Sequence, residues 1–243
     1  QKSHQSSWKK SVYEVYKDAS INLEWTPILK ETCEKAGIHF FTSPYSFELV
    51  DHVDEFLDAY KIGSGDITWH EIINHIIKKN KPVLLATGAS NWSDIDEAVS
   101  LFKKNKTEYA LLQCNTNYTA SFENYCHINL LVLPEMKRRY REAIIGLSDH
   151  TKSCTTVLGA ITLGAKIIEK HFTDSNEREG PDHKFALNPI EWSEMVLRVK
   201  ELELALGNKE KKVEKNEKET VVVQRRGIRA NIEIKKGDII KRS

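Results

Sequence analysis

Six short apolar runs in this chain each lead into side chains that can bind anions, bind metals or carry protons. Ser43 and Pro44 follow His39–Thr42. Lys61 lies inside Ala59–Ile62, and Gly63-Ser64-Gly65-Asp66 follows it. Thr87 and Gly88 follow Pro82–Leu85, and Asn115, Thr116, Asn117 and Tyr118 follow Tyr109–Gln113. Ser148, Asp149 and His150 come after Ala143–Leu147; Glu169, Lys170 and His171 come after Ala165–Ile168. Lys61, Ser64 and Ser148 supply a cation and hydroxyl donors, the inventory for a phosphate or carboxylate. Strand-end lysines also snorkel to water, but a lysine inside a buried strand needs an anion. The Gly-Ser-Gly turn can aim backbone N–H groups at the same anion, although such turns are also common without a ligand. His150 and His171 end consecutive runs, with Asp149 and Glu169 beside them. Two imidazoles with few carboxylates suit a Mn²⁺-like ion with open water positions better than a closed zinc site. Arg178-Glu179-Gly180-Pro181-Asp182-His183 reads either as a plain Gly-Pro turn or as a loop whose Asp182 accepts hydrogen bonds from a polyol. The other seven histidines are given no role, with His183 left open.

The runs are short and bounded by turn residues, as buried parallel strands should be. Helix signals separate them. Thr26-Pro27 reads as an N-cap with Pro at the first helical position, and Gly37 closes that segment. Leu49, Val50, Val53, Phe56 and Leu57 share one helical face. Thr68 to Glu71 reads as a capping box ahead of Ile72, Ile73, Ile76 and Ile77. Ser93 and Asp96 are candidate starts for a helix that turns Ala98, Val99 and Phe102 inward. Asn188-Pro189-Ile190-Glu191 opens a long helix to about Leu206, stopped by Gly207. Residues 1–25 read as loop-rich. Strands alternating with helices mean parallel βαβ units. A (β/α)8 barrel needs eight strands and about 250 residues, so two strands are expected before Gln1. In such a barrel all six polar clusters meet at one mouth. The alternative is a six-stranded doubly wound sheet, but no G-x-G-x-x-G opens a helix here.

The chain has 243 residues, 40% of them hydrophobic, enough for a full core. Lys and Arg number 36 against 35 Asp and Glu, a net charge of +1 that argues against nucleic acid or an anionic membrane as partner. No apolar run approaches the ~20 residues of a membrane span. No signal peptide is visible, and the four cysteines (Cys33, Cys114, Cys126 and Cys154) form no C-x-x-C pair. The expectation is a cytoplasmic protein with reduced, mostly buried thiols. Residues 207–220 are dominated by charge and read as a solvated linker. Val221–Ser243 alternates in hydrophobicity and reads as the opening of a small β-rich domain.

Taken in order, the motifs Lys61-Ile62-Gly63-Ser64-Gly65-Asp66, Ala86-Thr87-Gly88, Gln113–Tyr118, Gly146-Leu147-Ser148-Asp149-His150, Ile168-Glu169-Lys170-His171-Phe172 and Gly180-Pro181-Asp182-His183 resemble the sialic acid synthase family. Its members make N-acetylneuraminate, legionaminate or pseudaminate. The resemblance runs from about Phe40 to Leu206. It implies a TIM barrel over residues 1–206, lacking its first strands, then the 207–220 linker and the start of an antifreeze-like domain over 221–243. Arg225-Arg226-Gly227 and Ile234-Lys235-Lys236-Gly237-Asp238 look like that start. It also implies condensation of phosphoenolpyruvate with an N-acetylated hexosamine to a nine-carbon 2-keto acid, with phosphate release, in a domain-swapped homodimer. Carried over by position, His150 and His171 match the ligands of a divalent metal, Mn²⁺ or Mg²⁺. Ser43, Lys61, Ser64 and Ser148 match phosphoenolpyruvate-binding positions. Tyr118 and Asp182 match sugar-side positions, with Thr116 in the same loop as Tyr118. Asp66, with His150 and His171 a candidate catalytic residue, stands where many members have Glu, and Ala86 where many have Ser. The family's catalytic glutamate and a further phosphoenolpyruvate-binding lysine are expected on the two strands before Gln1, which makes weak turnover the expectation for this chain.

Three other readings remain. The acceptor is a diacetamido-hexose, as for legionaminate or pseudaminate. The barrel binds carbohydrate without catalysis, which the retained phosphate cradle argues against. Or it is an aldolase, which would use a Schiff-base lysine or a metal with three strong ligands.

Overall fold

The structure, a computed structural model, describes residues 10–118, 121–180 and 182–240. It divides into two units, residues 1–206 and 207–243.

In the first unit five of the short apolar runs become strands. They are β1 (Tyr60–Ile62), β2 (Val83–Ala86), β3 (Tyr109–Cys114), β4 (Ile144–Asp149) and β5 (Ile167–Lys170). All neighbours are parallel, in the order β1-β2-β3-β4-β5. Parallel strands need crossovers, and helices supply them. Between β1 and β2 lies α4 (His70–Ile77), between β2 and β3 α5 (Trp92–Asn105). Between β3 and β4 lies α6 (Val132–Arg139), and between β4 and β5 α7 (Thr155–Thr162). Before β1 come α1 (Val12–Ala19), α2 (Trp25–Lys35) and α3 (Phe47–Val53); after β5 comes α8 (Pro189–Leu206).

The core lies between sheet and helices. Ile72, Ile73 and Ile76 of α4, Ile95, Val99 and Phe102 of α5, and Leu133 and Met136 of α6 are buried with Val83, Leu85, Leu111, Ile145 and Leu147 of the strands. A smaller cluster joins Val157 of α7 to Leu187 and to Met195 of α8.

Five of the six expected strands form. The first run, His39–Thr42, does not. It is extended beside β1 but shares one backbone bond with it, Lys61 N to Thr42 O at 3.2 Å, and one bond does not make a ladder. Within the loop-rich 1–25, residues 1–9 lie outside the described residues, and α1 forms at 12–19. Its cause is local. Ser11 and Glu14 make a reciprocal capping box, and none of its residues is buried. Helix starts shift by one to three residues. Thr26 is buried inside α2, which begins at Trp25. Helix α4 begins at His70 with no side-chain cap, and α5 is capped by Asn91 with Asp94 instead of starting at Ser93. The Asn188 cap is present: its Oδ1 accepts from Ile190 N and Glu191 N, both at 3.0 Å.

The second unit carries α9 (Lys218–Gln224), which starts inside the expected linker and runs into the segment expected to be β-rich. No strand occurs among the described residues of 225–240. An alternating segment needs a partner strand to become one. Residues 241–243 lie outside the described residues. The thiols are free, as expected, but only Cys114 is buried; Cys126 is exposed and Cys33 and Cys154 are half-buried. Cys33 lies within α2, Cys126 in a 3-10 turn at 122–127 and Cys154 just before α7, all outside the core between sheet and helices. Among the described residues no helix is long and apolar enough to cross a membrane.

Gly146 is set by packing. It pairs with Leu112 and Ile167 in the sheet, and a Cβ there would meet Leu112 Cδ2 at 2.4 Å and the Ile167 carbonyl at 2.5 Å. A carbonyl within a ladder cannot step aside. Gly146→Ala is expected to lower unfolding stability by about 1–3 kcal/mol or more, read by urea denaturation. An unchanged midpoint would contradict this packing.

Candidate functional site

Parallel register brings every strand's C-terminal end to one edge. Curvature then brings the first strand to the last. In a flat sheet β1 and β5 would lie about 19 Å apart, four interstrand spacings. Yet Lys61 Nζ of β1 sits 3.3 Å from Glu169 Oε2 of β5. The other carboxylate oxygen of Glu169 accepts from Ser148 Oγ of β4 at 2.6 Å. Lys61, buried within its strand, thus finds its anion inside the protein, and Glu169 holds together two of the expected phosphate-binding side chains.

Beside this bridge the turn after β1 meets the turn after β2. Gly88 N donates to Ser64 Oγ at 3.0 Å. A Cβ on Gly88 would meet Thr116 Cγ2 at 2.5 Å, Ser64 Oγ at 2.9 Å and Cys114 Sγ at 3.1 Å, so only glycine fits this cradle. Burial pushes the Cys114 thiol up, while hydrogen bonds with Ser64 and Ser148 and the charge of Lys61 oppose it. Burial also raises the Asp66 carboxyl, with Lys61 pulling the other way. Ser43 hydrogen-bonds Tyr45, whose hydroxyl reaches the open side of Gly63.

The imidazoles form the next layer. The His150 and His171 ring centroids are 5.1 Å apart. Tyr118 lies 4.2 Å from the His150 ring and 5.8 Å from the His171 ring, and Phe185 lies 4.9 Å from His171. His150 Nδ1 is 2.8 Å from the Asn115 carbonyl, so it is the donor and Nε2 keeps its lone pair. Burial holds His150 down at about 4, a neutral ring. His171 Nδ1 is 3.3 Å from Asp182 Oδ2; this bond keeps the Asp182 carboxyl below its usual range. Burial pushes the Tyr118 hydroxyl up to about 12.

A divalent cation fits this donor set. One ring is neutral with its far nitrogen free, and the other is oriented by a carboxylate, the outer-sphere arrangement of metal-binding histidines. Among the described residues no group of three His, Cys, Asp or Glu is arranged to hold a metal. The pair would therefore leave further coordination positions to water or a ligand.

All ten expected site residues belong to this one edge of the sheet or to the loops above it. Pro181 of the Gly-Pro loop lies outside the described residues. His183 is structural: its Nδ1 contacts Thr173 Oγ1 at 2.8 Å. The residues alone did not single out Glu169 as the bridge, Cys114 as the floor of the cradle, or Phe185 against the imidazoles. The one available signal was that a buried Lys61 demands an acid at another strand end.

Comparison with known proteins decides the family. A family model described as the NeuB family matches residues 1–211. The chain belongs to the NeuB family. This NeuB chain is 36% identical over 210 residues to the N,N'-diacetyllegionaminic acid synthase of Campylobacter jejuni, covering 85% of this chain and 62% of that protein. It is 32% identical over 237 residues to a pseudaminic acid synthase of the same species, covering 95% and 66%. The chain thus spans about two thirds of the length of these curated relatives. The crystal structure of the N-acetylneuraminic acid synthetase of Leptospira borgpetersenii superposes with a TM-score of 0.79 at 28% identity, covering 91% of this chain and 77% of that one. These matches agree with the family the motifs resemble, and with its α/β architecture.

The cradle around Gly88 makes a direct prediction. Gly88→Ala should weaken binding of inorganic phosphate at least tenfold by calorimetry, with circular dichroism showing an intact fold. Unchanged affinity would place the anion elsewhere.

Proposed function

We propose that this NeuB chain carries the site of a synthase that condenses phosphoenolpyruvate with an N-acetylated amino sugar, within a TIM barrel. One observation supports the reading: Lys61, Ser64 and Ser148 gather around Gly88 beside two oriented imidazoles, of which that of His150 is neutral. A sugar-binding module needs no buried lysine at the floor of its pocket.

In the proposed reaction, C3 of phosphoenolpyruvate bonds to the aldehyde carbon of the open-chain sugar, and the aldehyde oxygen takes a proton. Water adds its oxygen to C2. The C2–O bond to phosphate breaks, phosphate leaves, and the C2 hydroxyl loses its proton to give the 2-keto acid. Lys61, Ser64 and Ser148, with Ser43, hold the phosphate and carboxylate of phosphoenolpyruvate. For that, Glu169 must give up its hold on Lys61 and Ser148. Asp66, raised by burial, is the candidate for moving a proton at the aldehyde oxygen or the attacking water. Tyr118, Thr116 and Asp182 line the acceptor side. His150 and His171 would hold a divalent cation, Mn²⁺ or Mg²⁺. When bound, such an ion supplies Lewis-acid polarisation of the aldehyde. A swapped homodimer and an antifreeze-like second domain belong to the same proposal, on the strength of the motifs at Arg225–Gly227 and Ile234–Asp238.

A diacetamido-hexose acceptor is the second reading, favoured by the names of the two Campylobacter relatives. Both acceptor classes go into one test: phosphate release from phosphoenolpyruvate with Mn²⁺ and a panel of N-acetylmannosamine and diacetamido-hexoses. Release should require one of the sugars and fall at least 100-fold in Lys61→Ala. The test is run on this chain and on a version restored at both ends; a folded, Mn²⁺-binding restored protein that releases nothing with any sugar would contradict the synthase reading in favour of a binding barrel.

A further inference from the structure

Behind the imidazoles, on the other face of the sheet, lies a buried polar network that the proposed chemistry leaves unused. Asp149 and Lys170 are the last residues of β4 and β5 and are register partners. Their side chains are 0% and 1% exposed, with Nζ and Oδ2 2.6 Å apart. Strand residues alternate between faces. Ser148 with His150, and Glu169 with His171, therefore face the site, while Asp149 and Lys170 face the helix layer. The pair does not stand alone. Lys170 Nζ also donates to the Thr151 carbonyl at 2.5 Å and the Ser153 carbonyl at 3.5 Å. Asp149 accepts from Thr151 N and Thr151 Oγ1, both at 3.0 Å, and from Thr156 Oγ1 of α7 at 2.7 Å.

A buried ion pair is a poor source of net stability, because desolvation offsets most of the attraction. Apolar side chains of similar volume often serve packing as well or better. What apolar side chains lack is direction. The bonds of this network fix the pairing of β4 with β5 and the 151–153 turn that leads away from His150, and the one from Thr156 ties β4 to α7. Each of the two charged residues directly precedes an imidazole. A shift in strand pairing would displace one ring against the other, and metal–nitrogen bonds tolerate little displacement, their length being about 2 Å.

We propose that Asp149 and Lys170 are positioning residues, a buried cross-strand clamp that holds His150 and His171 at the separation a shared divalent cation requires. Thr156 extends the clamp to α7. The proposal rests on the reading of the two imidazoles as a cation site.

The test is Mn²⁺ affinity of the full chain, read as free Mn²⁺ by electron paramagnetic resonance, beside thermal melting. The variants are Asp149→Leu with Lys170→Met in one chain, Thr156→Val, Lys170→Arg, and His150→Ala as a control. Wild type should bind Mn²⁺ and His150→Ala should lose it. The apolar double variant leaves no unpaired charge but removes partners of Thr151, Ser153 and Thr156, so it should stay folded and melt below wild type. Its Mn²⁺ Kd should nevertheless rise 10–100-fold, the range for outer-sphere partners of metal ligands. A purely structural pair would leave the Kd unmoved. A Kd within twofold of wild type in the folded double variant overturns the clamp. If the double variant does not fold, the same result in both Thr156→Val and Lys170→Arg overturns it. If wild type binds no Mn²⁺, or His150→Ala binds as well as wild type, the cation reading fails and the clamp falls with it.

Discussion

The contact between Lys61 and Glu169 depends on the whole sheet. It joins the first strand to the fifth, across three intervening strands, at 3.3 Å. Only a curved parallel sheet permits this, and only side chains at matching strand ends can use it. Curvature in turn needs close backbone approach, and Gly146 supplies it between β3 and β5. The same closure places the turns after β1, β2 and β3 around Gly88. Without it the polar strand ends would form a line along an edge. With it they form a cradle.

Charge is handled differently on the two faces. On the site side, Lys61 is matched by Glu169, which the anion of the proposed substrate would have to replace. Its neutralising partner is then exchangeable, and the pocket is not left with a bare buried cation in the resting protein. Behind the sheet, Lys170 and Asp149 are matched by each other and by main-chain groups that no ligand reaches. In the proposed reaction the first ion pair opens while the second stays closed. His150 is neutral for a third reason, burial, with its Nδ1 bound to a carbonyl and its Nε2 left over.

Much of this was legible in the residues. The runs Tyr109–Gln113 and Ala143–Leu147 are continuous and apolar, so they read as buried strands. The polar residues after them read as one mouth. The run His39–Thr42 looked the same but has no ladder, since strand pairing is a property of neighbours and not of the run. Helix α6 was hidden by Pro134 in its first turn, and α7 by a Thr-Thr-Val-Leu-Gly stretch without an amphipathic stripe. In the site, residue types were readable but partners were not. Lys61 called for an anion, yet nothing in its own strand named Glu169, more than a hundred residues on. Asp149 and Glu169 looked like companions of the imidazoles, while alternation along the strands keeps Glu169 on their face and sends Asp149, with Lys170, to the opposite one.

The most direct test of the central claim follows one oxygen atom. Phosphoenolpyruvate labelled with ¹⁸O in the bridge between C2 and phosphorus is incubated with the protein, Mn²⁺ and the acceptor sugar, and the released phosphate is weighed by mass spectrometry. Condensation with attack of water at C2 breaks the C–O bond, so the phosphate should carry the label and appear only when sugar is present. Unlabelled phosphate would mean cleavage at phosphorus, release without sugar would mean hydrolysis uncoupled from condensation, and either would contradict the synthase account.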